Sequence, residues 1–170
     1  MKNKYYKLLY ILLMTVIIIT GCNNKSKMNT TENGSKNENL VTYTDKTFDF
    51  SLDFPEKWEY SINHNIEATK EIEATPDSGI EIYVNENREN RIYVFQQRGH
   101  ISIPDPNDYE VESIKTSSGL NGDLYKRKTD NVVEIRCIID EFIGVIVFMD
   151  YEIYDKNSEE IMNIIYSIRK

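Results

Sequence analysis

Two apolar segments in succession constrain this chain most. Val133, Ile135, Cys137 and Ile139 alternate with Glu134, Arg136 and the apolar Ile138. A period of two sets one row of side chains on the inner face of a strand. The next segment, Phe142–Tyr151 (FIGVIVFMDY), is almost continuously apolar, as a central strand covered on both faces should be. Glu141 lies between the two, so their spacing predicts a tight hairpin.

The same pattern recurs upstream. Phe48, Phe50, Leu52 and Phe54 alternate with polar residues over Thr47–Phe54, a strand that Pro55 ends, and Trp58 opens a second extended stretch to about Asn65. Residues 66–77 repeat the tetrapeptide IEAT and match neither period well. Gly79–Asn85 and Arg91–Gln97 flank the polar turn ENREN, which predicts a hairpin. Pro104-Asp105-Pro106-Asn107-Asp108 reads as a loop followed by a helical turn at Tyr109–Ile114, and Ser117–Gly122 as a further turn. At the end of the chain, Ile161, Ile164, Ile165 and Ile168 form one helical stripe. Asn157 or Ser158 is placed to cap that helix, Asn157 forming a capping box with Glu160. The expected fold is therefore α+β: a mostly antiparallel β-sheet over residues 41–170, a C-terminal helix packed on one face, and room for smaller helices on the other.

The N-terminus has a different character. MKNKYYK supplies positive charge, and Leu8–Ile19 is a twelve-residue run, apolar but for Thr15. That suits the h-region of an export signal, about 7–15 residues, and is short of the roughly 20 needed to span a bilayer. Ile19-Thr20-Gly21-Cys22 follows and resembles the lipobox of bacterial lipoproteins. The resemblance implies removal of residues 1–21 and a diacylglyceryl thioether on Cys22. The domain would then be held at the extracytoplasmic face of the cell membrane. Two acyl chains give stable anchoring where one is marginal.

Residues 22–40 make the lipidated cysteine and a polar tether, whose only large apolar side chains are Met28 and Leu40. Such a composition cannot offset its ordering entropy, and eighteen flexible residues reach about 25 Å. With Cys22 acylated, Cys137 has no disulfide partner.

FDFSLDFPEKW, SSGLNG and the terminal IIYSIRK are similar to segments of the PsbP-like domain, across about residues 45–170. That family includes photosystem extrinsic proteins, a yeast Ran-binding protein and bacterial lipoproteins. The resemblance implies an antiparallel sheet between helices and a non-enzymatic binding or assembly role. It transfers no functional residue, since the family shares a fold and not a site.

Charge narrows the partners. The chain carries a formal charge of -8; without residues 1–21 it keeps 17 basic against 28 acidic side chains, or -11. This argues against nucleic acid, where Lys and Arg must neutralise phosphates. An unknown envelope protein or cell-wall component remains. No catalytic or cofactor motif emerges. His64 and His100 lack second ligands at zinc spacing. Asp105, Asn107 and Asp108 suit a hard cation but lack the glycine and distal glutamate of an EF-hand loop. Thr129-Asp130-Asn131 reads as a turn, and Cys137 as a small buried hydrophobe.

Tyr83, Tyr93 and Phe95 fall on the strand faces opposite Ile82 and Ile92. Two readings stay open for them: packing beneath a second helix, or an exposed aromatic patch that grips a partner. The leading expectation is a membrane-tethered binding or assembly module. The alternatives are an envelope enzyme with a dispersed carboxylate site and a cation-binding accessory protein.

Overall fold

The structure, a computed structural model, describes residues 39–63 and 77–170. The Ile19–Cys22 motif, the tether, the IEAT repeats and His64 lie outside the described residues. Nine strands and one helix follow in order: β1 (Leu40–Asp45), β2 (Phe50–Pro55), β3 (Glu59–Asn63), β4 (Asp77–Tyr83), β5 (Arg91–Gln97), β6 (Glu110–Lys115), β7 (Asn121–Lys128), β8 (Val132–Ile139), β9 (Ile143–Asp150) and α1 (Tyr151–Ser167). β1 and β2 form a separate hairpin, and the other seven strands form an antiparallel sheet in the order β3-β4-β5-β9-β8-β7-β6. The fold is α+β, mostly antiparallel sheet with a C-terminal helix packed on it.

The two segments that constrain the sequence most, β8 and β9, sit at the middle of the sheet. Asp140 and Glu141 turn the chain between them with φ of 50° and 67°, the left-handed pair that a tight hairpin demands. Val133, Ile135, Cys137 and Ile139 all face the core, 0–1 % exposed. β9 departs from expectation. Ile143, Val145, Val147 and Met149 are buried, but on its other face Phe148 is 45 % exposed. Its apolar run is fully covered on one side only.

That covered side holds the core. α1 lies against β2, β8 and β9, and Ile161, Ile164, Ile165 and Ile168 join Phe50, Leu52 and Phe54 in one buried cluster. Residues after the helix strap it to the hairpin. Arg169 exchanges backbone bonds with Ser51 (2.8 and 3.0 Å) and grips both carboxylate oxygens of Asp53 at 2.9 Å. A bidentate guanidinium–carboxylate pair adds direction as well as attraction.

Three expected elements differ. The strand expected over Thr47–Phe54 begins at Phe50, because residues 46–49 turn the chain between β1 and β2. α1 begins at Tyr151, not at Asn157 or Ser158. β9 runs directly into it, and the buried side chain of Tyr154 extends the isoleucine stripe two turns earlier. Asn157 is mid-helix and donates from Nδ2 to the Ile153 carbonyl (2.7 Å); it caps nothing. Tyr109–Ile114 is not a helical turn either, because residues 110–115 pair with β7 along their whole length. The local turn lies just before, at Pro106–Asp108, where the Asp105 side chain accepts from the Asn107 amide.

Among the described residues no helix lies on the far face of the sheet. The connection from β5 to β6 crosses that face instead. A Cβ on Gly144 would stand 2.5 Å from the Phe95 ring and 3.0 Å from the Ile101 side chain, so glycine at 144 is what lets the crossing segment sit close.

Candidate binding surface

The helix-free face can be read directly from strand register. Tyr83, Arg91, Phe148, Glu134 and Arg127 form one cross-strand row. Glu81, Tyr93, Ile146, Arg136, Tyr125 and Val111 form the next. Gly79, Phe95, Gly144, Ile138, Asp123 and Ser113 form the third. Side chains opposite one another on one face are the units that stabilise a sheet, and here Glu134 stands opposite Arg127.

Glu134 is the clearest case. It is 8 % exposed, bonds to Arg127, accepts from Arg136 Nε at 2.8 Å and from the Tyr109 hydroxyl at 3.1 Å. Burial works against its charge, and the donors Arg136, Arg127 and Tyr109 outweigh that, holding the carboxyl below its usual range.

The three aromatic candidates lie on this face, as their strand phase requires. Tyr83 is 5 % exposed and Phe95 8 %; Tyr93 is half-buried. The Tyr83 hydroxyl donates to Glu81 (2.7 Å), and the Arg88 guanidinium sits 5.4 Å from its ring centroid. Tyr93 stacks on Phe95 at 4.8 Å and 16° and donates to Asp77. Burial, then that bond, pushes the Tyr93 hydroxyl well above its ordinary pKa. The accessible apolar side chains nearby are others: Phe148, Val111 (49 %) and Ile103 (70 %).

A groove of about 830 Å³ opens between this face and residues 98–109. Ile101, Ile103, Tyr125 and Ile138 supply its apolar lining, and Asp123 and Glu141 its acidic part. The segment above it is held at both ends. His100 stacks on Phe142 at 5.6 Å, and Tyr109 meets Tyr125 edge-on at 6.4 Å. Sequence reasoning missed this groove, although a long connection with Pro104 and Pro106 was its signal. A smaller hollow of about 310 Å³ lies between the β1–β2 hairpin and the sheet, lined by Val41, Phe54, Tyr60 and Ile62 among others.

The ionisable groups displaced from their normal range serve the fold. Asp45, Asp53 and Glu134 are all shifted downward, at three separate places. Cys137 is 1 % exposed, and burial, then the charge of Asp123, pushes its thiol up to about 12. Asp105 directs Oδ1 at the Asn107 amide and side chain (3.0 and 2.9 Å). Among the described residues no three His, Cys, Asp or Glu converge to hold a metal. His100 is exposed. Thr129, Asp130 and Asn131 turn the chain between β7 and β8, with the Thr129 amide bonded to the Val132 carbonyl (2.9 Å).

Together these features describe an α+β domain with one helix-covered face and one that, among the described residues, only a strap crosses. No protein-family model matches the chain, and no curated protein is significantly similar to it in sequence.

Proposed function

We propose that this chain is an extracytoplasmic lipoprotein, lipid-anchored to the cell membrane, whose folded domain is a non-enzymatic binding or assembly module. Residues 1–21 are removed, Cys22 carries diacylglycerol, and the polar tether holds a PsbP-like domain within reach of an envelope protein or cell-wall component. Ile19-Thr20-Gly21-Cys22 behind a twelve-residue apolar run supports the anchor. The binding role rests on one observation: the helix-free face leaves Phe148 half-exposed among paired charges. Aromatic and arginine side chains are enriched at protein interfaces, and Arg91 stands opposite Phe148 in register.

The anchor is tested by metabolic labelling with an alkyne fatty acid. Cys22→Ala is expected to abolish label and shift the protein from the membrane fraction. A variant that still takes up label would overturn the lipoprotein reading.

A further inference from the structure

The groove under residues 98–109 has the marks of a preorganised site. Its strap is stiff: Pro104 and Pro106 fix two backbone angles, the Asp105 carboxylate holds the Asn107 amide (3.0 Å), and the Asp105 carbonyl accepts from Asp108 N (3.1 Å). Both ends are pinned. Gln97 Nε2 donates to the His100 carbonyl (2.9 Å) and Ile101 packs over Gly144 at one end; Tyr109 bonds to Glu134 at the other. Between these anchors the strap leaves Ile103 70 % exposed. A site that is already rigid loses less freedom when it binds.

The chemistry of the groove is two-sided. Ile101, Ile103 and Ile138 make it apolar, and Asp123 and Glu141 line it with carboxylates. Asp123 accepts from the Ser113 hydroxyl (3.0 Å). Among the described residues no lysine or arginine pairs with Asp123 or Glu141, whereas Asp140, which also lines the groove, is paired with Lys170. Its volume of about 830 Å³ lies within the usual range for ligand sites, roughly 300–1,000 Å³.

We infer that this groove receives an extended, basic segment of a partner protein, in which lysine or arginine alternates with apolar side chains. Alternation puts successive side chains of an extended peptide on opposite sides, so one row meets Ile101 and Ile103 of the strap while the other reaches Asp123 on the sheet. The inference rests on the binding-module reading and names that module's class of partner.

The test uses the intact acylated protein in detergent and a fluorescein-labelled octapeptide of alternating lysine and valine, read by anisotropy at physiological salt. Asp123→Asn with Glu141→Gln is expected to weaken binding at least tenfold, and Ile103→Ser several-fold. Glu56→Gln with Glu159→Gln, an equal change of charge at exposed sites elsewhere, should leave affinity unchanged. A glutamate–valine octapeptide should bind at least a hundredfold more weakly. Equal losses in both double variants would reduce the effect to diffuse acidity and overturn the inference. So would equal binding of the two peptides, or no binding at all. If the peptide fails while crosslinks from Phe148 still form in cells, the groove assignment falls and the module reading stands.

Discussion

Asp45 is 2 % exposed, and among the described residues no lysine or arginine forms an ion pair with it. Its carboxylate accepts from Ser78 Oγ (2.6 Å), Tyr43 Oη (2.8 Å) and the amides of Thr47 (2.8 Å) and Phe48 (2.9 Å). It therefore shapes the β1–β2 turn and joins that hairpin to β4. Burial opposes its charge, and these donors prevail, so its pKa is lowered. A carboxylate depressed on folding contributes stability above its unfolded pKa, about 4, and loses it as pH falls through the folded value. Asp53 and Glu134 act in the same direction. The thermal midpoint should fall steeply below about pH 4. Asp45→Ala should cost on the order of 3 kcal/mol at pH 7, since it strands buried donors, and its deficit should narrow in acid. A midpoint indifferent to either change would contradict the network. The link from Asp45 to β4 was not legible in the sequence, because Ser78 lies 33 residues away. Cys137 was legible, since alternation alone assigned its face. Its thiol should react with a maleimide only as fast as the protein unfolds; rapid labelling of the folded protein would expose an error in β8.

At the scale of elements, period two located β2 and β8 because each buries alternate residues against a single core, while a continuous apolar run marked β9 and a polar turn between two apolar segments marked β4 and β5. Period alone could not say what covers the other face, so β9 looked enclosed although Phe148 is half-exposed. β6 read as a helical turn because EVESIK carries only Ile114 into burial; its pairing with β7 overrides so weak a local preference. The start of α1 was misplaced for a related reason. A capping box is a short signal, and direct continuation from β9 outweighed it. The consequences can be measured by thermal melts. Ile165→Asp puts an unpaired carboxylate among buried isoleucines and should cost several kcal/mol. Asn157→Ala should change stability by well under 1 kcal/mol, since a true cap typically contributes about 1. A large loss at Asn157 would restore the capping role.

The whole molecule has one face closed by α1 and the β1–β2 hairpin, and one crossed only by a strap among the described residues. Strand phase put Tyr83, Tyr93 and Phe95 on the second face, yet it could not reveal their burial. For Phe95 that burial depends on Gly144 opposite it, a contact set by tertiary register. The groove was hidden for the same reason, since its floor comes from three strands and its wall from a distant loop. The proposed function requires the open face to meet a partner at the membrane. A photo-crosslinking residue placed at Phe148 in living cells, with a second at Glu159 on the exposed side of α1, tests this most directly. The account predicts a discrete crosslinked species from position 148, lost in the Cys22→Ala background, and none from 159. Crosslinks from 159 but not from 148 would contradict it.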